Sequence, residues 1–209
     1  MSIFNGIKEE QMDILREVGN IGAGHSASAM AQLLNRKIDM EVPFAKLLSF
    51  DELVDFFGGA DVPVASIFLR MEGDLTGSMF FIMPFFQAEQ FIRELIGNPD
   101  FDIEDLGEDH MSSSALHELG NILAGSYLTA LADLTKLQLY PSVPEVSLDM
   151  FGAVISEGLM ELSQVGEHAI VVDTSIFDQS HQQELKAHMF MLPDYDSFEK
   201  LFVALGASL

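Results

Sequence analysis

The chain reads "REVGNIGAG" at residues 16–24 and "HELGNILAG" at residues 117–125, the second phrase lying 101 positions after the first. At that offset Glu17 stands over Glu118, Gly19 over Gly120, Asn20 over Asn121, Ala23 over Ala124 and Gly24 over Gly125. A glycine inside a helix costs about 1 kcal/mol relative to alanine, so neither phrase is a good helix for its own sake. The register outlasts the phrase. Pro43 in "EVPFAKL" falls over Pro144 in "SVPEVSL", each 23 residues after its asparagine.

The halves also end alike, in "GSMFFIMPFFQAEQFIREL" (77–95) and "AHMFMLPDYDSFEKLFVAL" (187–205), each an apolar run, a proline and a helix-like pattern. There the offset has drifted to 110 and then 109, as insertions in loops would cause. The reading is one domain over 1–209 built of two repeats, about 1–100 and 101–209. Each repeat holds a long helix, a proline-marked strand, two or three further strands and a closing helix. Met12, Leu15, Val18, Gly22, Ala29 and Leu33 give the first long helix its periodicity, and Leu116, Leu119, Leu123, Leu128 and Leu131 the second. Ser112 to Ser114 stand where a cap for the second helix would be.

Strands are expected at "VASIFLRME" (64–72), "GSMFFIM" (77–83), "HAIVVDTSIF" (168–177) and "KAHMFML" (186–192). The short turns "EGD" and "DQSHQQ" between them favour antiparallel hairpins. "GNPDFDIEDLGEDH" (97–110) is acidic and turn-forming, hence an exposed connection. Two such units, each with an open strand edge and an apolar helix face, bury both by joining around a pseudo-twofold axis.

Hydrophobic residues make up 48% of the 209, enough for a real core. Thirty-three acidic against ten basic residues give a net charge of −23, a surface that repels nucleic-acid backbones and anionic lipid headgroups. There is no cysteine, which excludes disulfides, thiolate zinc sites and cysteine nucleophiles. The N-terminus lacks a continuous apolar signal-peptide core. "SMFFIMPFF" (78–86) is far shorter than the roughly 20 residues a membrane helix needs. A soluble, cytoplasmic protein is expected.

On a helix at about 100° per residue, Asp13, Glu17 and Asn20 point one way, and Ser114, Glu118 and Asn121 repeat the arrangement. Read blandly, these are solvated side chains on helices whose glycines let two elements pack. Read chemically, an amide can donate to and accept from one water and fix its orientation, yet it is a negligible base. That suits phosphoryl transfer, whose loose transition state needs an aligned nucleophile and charge stabilisation more than proton removal. The glutamate would anchor a cation on the phosphorylated partner.

These residues resemble the motif of the CheC, CheX and FliY family of bacterial chemotaxis phosphatases: Asp or Ser, three residues, Glu, two residues, Asn, twenty-two residues, Pro. Asp13, Glu17, Asn20 and Pro43 fit it, as do Ser114, Glu118, Asn121 and Pro144. Two full copies and an end at Leu209 fit the CheC type; CheX types have one active copy and FliY types carry a further flagellar-switch domain. The resemblance implies an α/β fold of the α+β type, internally duplicated about a pseudo-twofold. Its central sheet would be largely antiparallel, with the two motif helices exposed on one side. It implies hydrolysis of the aspartyl phosphate of the response regulator CheY. Asn20 and Asn121 would orient the attacking water, while Glu17 and Glu118 would pair with the regulator's lysine. Mg2+ would be held by the regulator, with no cofactor on this chain. It further implies a heterodimer with the receptor deamidase CheD, which is restrained by it. The alternatives are a non-catalytic module that holds CheD and a structural domain of the flagellar switch.

Other motifs fall away. "HELGN" lacks the second histidine of a zinc helix, and the glycines of "GNIGAG" miss the dinucleotide spacing. His25, His110, His168, His181 and His188 are scattered, and the methionines and phenylalanines sit in strand-like runs as core.

Overall fold

The computed structural model describes residues 9–107, 110–162, 168–178 and 183–206, so His181 lies outside it. The chain opens with α1 (Glu9–Leu34), β1 (Ile38–Glu41), β2 (Ala45–Ser49), α2 (Phe50–Phe57), β3 (Pro63–Gly73), β4 (Gly77–Pro84) and α3 (Phe85–Ile96). After a 3-10 turn the same order recurs as α4 (His110–Thr135), β5 (Leu139–Pro141), β6 (Glu145–Met150), α5 (Phe151–Leu162), β7 (His168–Asp178), β8 (Gln183–Pro193) and α6 (Tyr195–Ala204).

The strands form one curled sheet in the order β1-β7-β8-β4-β3-β5, with β2 also on β7 and β6 also on β3. Every pairing is antiparallel. The order reads the same from either edge once the halves are exchanged, which places the pseudo-twofold between β4 and β8. Register obeys it as well: Ala45 opposes Val172 just as Val146 opposes Ile67. Each half's short edge strands therefore pair with the other half's hairpin.

β4 is buried along nearly its whole length, because it is central and both sheet faces are covered. That explains why "SMFFIM" does not alternate. Met79, Phe81 and Met83 face a core shared with α1, α3, α4 and α6; Phe80 and Ile82 face a second core with Leu53 of α2 and Phe151, Val154 and Ile155 of α5.

The long helices lie side by side on the first core. Gly22 allows their closest approach, since a Cβ there would stand 3.0 Å from the Cα of Tyr127. Tyr127 runs on beneath the helices, its hydroxyl 3.0 Å from that of Thr174, and burial pushes its phenol up to about 12.

Four expectations change. α4 begins at His110, so Ser112 to Ser114 lie inside the helix and do not precede it, and Ser112 is fully buried. Leu33 is 44% exposed, because the buried stripe of α1 ends at Met30. The inter-half connection is pinned: Phe101, Ile103 and Leu106 are buried, and Arg93 Nε donates to the Phe101 carbonyl. Its acidic residues Asp102, Glu104 and Asp105 alternate outward. Finally, α2 and α5 stand where no helix was expected. α2 starts with a reciprocal cap between Ser49 and Glu52, and those hydrogen bonds, the backbone one first, hold the Glu52 carboxyl below its usual range.

Candidate functional site

α1 and α4 turn their apolar stripes to the sheet and leave the motif stripes outward. Asp13 and Glu17 are exposed and Asn20 is half-buried; Ser114, Glu118 and Asn121 are all exposed. The glycines divide into two kinds. A Cβ on Gly19 would stand 3.1 Å from Val172 and 3.2 Å from Val42, and one on Gly120 would stand 2.7 Å from Ile67 and 3.0 Å from Pro144. These two seat the helices on the sheet. Gly24 and Gly125, one turn beyond each asparagine, have nothing within 4 Å. Among the described residues, no packing calls for a glycine there.

The two asparagines are not equivalent. The Asn20 amide oxygen accepts from the Val42 N–H at 2.9 Å, while its nitrogen donates to the Val42 carbonyl at 3.4 Å and the Arg16 carbonyl at 3.1 Å. Both amide protons and one lone pair are thereby committed. Asn121 has no such tie among the described residues, so its donors and acceptor stay available to solvent.

The cause lies in the loops opposite. Val42 is buried and Pro43 exposed; in the second half Pro144 is buried and Val143 is 79% exposed. Val42 fills the space over Gly19, whereas Pro144 fills the space over Gly120. One residue earlier, Ser142 donates its N–H to the Arg70 carbonyl and accepts the Arg70 N–H on its hydroxyl, both at 2.8 Å. A side chain thus closes the ladder, and β5 ends one residue sooner than β1, whose Glu41 opposes Ser175. The loop leaves the sheet early and Val143 swings outward, away from its asparagine.

Charge differs too. Glu17 and Glu118 form no ion pair with any described residue, and Arg16 stands 3.3 Å from Asp13. At the position of Arg16 the second helix carries His117, whose Nδ1 lies 2.7 Å from the Ser113 carbonyl. A carbonyl only accepts, so Nδ1 carries the proton and Nε2 of the neutral ring is an acceptor. His117 lines an open cleft of about 490 Å³ between α4 and β6, with Ser113, Glu145 and Ser147 as its other polar residues. Among the described residues, no group of three or more His, Cys, Asp or Glu is placed to hold a metal ion. None of the described helices is long and apolar enough to cross a membrane.

Comparison with known proteins finds the same resemblance in both halves. Residues 10–47 and 111–148, each a motif helix with the loop and strand after it, both match the CheC-like family. Both halves of the chain thus resemble the CheC-like family. A curated relative, the flagellar motor switch phosphatase FliY of Bacillus subtilis, is 28% identical over 143 residues, 68% of this chain and 36% of that protein. The chain thus spans about a third of that relative's length. Among solved structures, Thermotoga maritima FliY matches with a TM-score of 0.77 at 19% identity, over 96% of this chain and 98% of that one. The FliM middle domain of H. pylori matches with a TM-score of 0.62 at 13% identity, over 95% of this chain and 99% of that one. At such identities these two likenesses speak for the CheC-like fold alone.

Sequence reading found the motif residues and overlooked their surroundings: Val42, Val143, His117 and Glu145. The signal was present in the repeat itself. At the offset of 101, Arg16 becomes His117, Glu41 becomes Ser142, Phe44 becomes Glu145 and Lys46 becomes Ser147.

Proposed function

We propose that this chain is a cytoplasmic chemotaxis phosphatase that hydrolyses the aspartyl phosphate of the response regulator CheY. In this reading the chain is a single domain of two repeats, about 1–100 and 101–209, and α4 carries the working site. The observation behind it is the Asn121 amide, exposed and untied, on the same helix face as the unpaired Glu118. Asn121 would accept from and donate to the attacking water and hold it in line, while Glu118 pairs with the regulator's lysine. Magnesium stays on the regulator. Gly125 keeps the surface low one turn away, so that the partner's backbone can come close. The name of the B. subtilis relative supports the activity.

Glu17 and Asn20 form the second, weaker site. To reach a water, Asn20 must release Val42, leaving a buried backbone N–H without its acceptor at a cost of about 1–3 kcal/mol. Such a cost lowers the rate by roughly 5- to 150-fold relative to an untied amide. As part of the same proposal, the chain forms a heterodimer with the deamidase CheD and regulates it.

The decay of radiolabelled phosphate on purified CheY is the test, run alone, with this protein and with its Asn20→Ala/Asn121→Ala variant. The parent should shorten the lifetime about 10- to 10³-fold and the still-folded double variant should not. No acceleration by the parent, with or without CheD, would leave the second reading: a non-catalytic module holding CheD or serving the flagellar switch. The fold shared with FliM favours that alternative.

A further inference from the structure

The cleft beside α4 is built unlike its counterpart. Its polar lining is Ser113, His117, Glu145 and Ser147, with Leu106 and Leu148 as apolar wall. With Nδ1–H spent on the Ser113 carbonyl, neutral His117 offers the acceptor Nε2. Glu145 is exposed and forms no ion pair with any described residue. The lining therefore combines one unpaired carboxylate, an imidazole acceptor, two hydroxyls and an apolar wall able to cover an aliphatic stem. Among the described residues, no lysine or arginine lines it.

In the first half the positions equivalent to Ser113, His117, Glu145 and Ser147 are Met12, Arg16, Phe44 and Lys46. There Lys46 lies over the Phe44 ring, its ammonium 4.6 Å from the centroid. Two cations and an aromatic ring take the place of a carboxylate and its acceptors. The motif glutamate and asparagine are the same in both halves, yet the adjoining surfaces have opposite charge.

We propose that the Ser113–His117–Glu145–Ser147 cleft receives a lysine or arginine side chain of the phosphorylated regulator and so directs docking to α4. The proposal rests on the phosphatase reading, and it adds a specificity site outside the family motif. An aliphatic stem lies along Leu106 and Leu148 while the cationic head meets Glu145 and the imidazole acceptor. The same side chain brought to α1 meets the Lys46 ammonium and an Arg16 already paired with Asp13, with Phe44 in place of the Glu145 carboxylate, and is turned away.

Two measurements decide it, both on the full chain. In the first, the protein is titrated with Nα-acetyl-arginine methylamide and, separately, with the neutral citrulline analogue, while NMR follows the His117 ring. The arginine probe should give a saturable shift that citrulline does not, and Glu145→Gln should weaken it about tenfold. Absence of a saturable shift, or equal shifts from both probes, overturns the cleft as a cation site whether or not the protein is a phosphatase. In the second, CheY dephosphorylation is compared between the parent, Glu145→Lys and Lys46→Glu. Glu145→Lys should raise KM about tenfold with kcat held, and Lys46→Glu should not raise it. An unchanged KM for Glu145→Lys overturns the regulator as occupant, and a fall in kcat alone overturns a docking role. A parent that leaves phosphate decay unaltered removes the phosphatase reading, and the regulator as occupant with it, while the titration still decides the cation site.

Discussion

The first motif helix and the second carry the same Glu, Gly, Asn, Ala and Gly at the same spacing, but one asparagine is tied to the backbone and the other is not. In the first half Val42 turns inward over Gly19 and its peptide groups hold the Asn20 amide. In the second half Ser142 closes the ladder by its side chain, Pro144 takes the inward place, and Asn121 has no tie among the described residues. A motif names the residues that reach the surface; the loop facing it decides whether they are available. In the first half the amide is rigid and in the second it is open.

The largest effect should come from separating the asparagines. Asn121→Ala should abolish most of the proposed acceleration of CheY dephosphorylation, roughly 10- to 10³-fold or about 1.4 to 4 kcal/mol. Asn20→Ala should change that rate by less than about threefold. Its cost should appear in denaturant unfolding as a loss of about 1–3 kcal/mol, because the buried Val42 N–H loses its acceptor. Equal rate losses from the two variants would break the comparison.

Next come the seating glycines. Gly120→Ala drives a methyl to 2.7 Å from Ile67 and 3.0 Å from Pro144, and should destabilise by about 1–3 kcal/mol. Gly19→Ala meets only valine methyls at 3.1 and 3.2 Å and gains helix propensity, so its loss should be smaller. Thermal unfolding ranks them, and the reverse order would contradict the packing described for the two loops.

The outward glycines should behave differently again. Gly24→Ala and Gly125→Ala each enter open space and should each stabilise the helix by about 1 kcal/mol. On the proposed docking at α4, only Gly125→Ala should slow dephosphorylation. A stabilised Gly125→Ala protein of undiminished activity would show that nothing comes close there.

A separate effect, confined to alkaline pH, concerns the buried Tyr127 of α4. Its phenol is raised to about 12 by burial. A folded value above the unfolded one near 10 means that its contribution is fully present below pH 10 and is lost as pH climbs toward 12. Tyr127→Phe should therefore lose less stability between pH 10 and 12 than the parent, as measured by unfolding at each pH. A parallel pH dependence in both proteins would locate the alkaline loss elsewhere.

Much of this arrangement was legible in the residues. The long helices, the four long strands and the closing helices follow from periodicity and apolar runs, and the exposed motif stripe follows from 100° steps. The capping pair Ser49 and Glu52 is a helix signal for α2 that periodicity alone passes over, because the helix is only eight residues long. The pinning of Phe101, Ile103 and Leu106 was hidden by the acidic residues between them. The tie between Asn20 and Val42 could not be read locally, because it depends on how a loop 22 residues away meets the helix. Nor could the pairing of β1 with β7, which joins opposite ends of the chain.

That last pairing has a consequence for synthesis. β5 and β6 emerge from the ribosome after β3 is already made, and can pair with it at once. β1 must wait: Ile38 meets Asp178, 140 residues later. At about 5–20 residues per second the wait is of the order of 10 s. During that interval the nascent first half holds an unpaired edge and no complete sheet, the condition in which strands associate with neighbouring chains. Cutting the chain between the halves would therefore yield two partners that need each other to fold, and the polypeptide behaves as a strand-exchanged dimer whose two subunits happen to be joined.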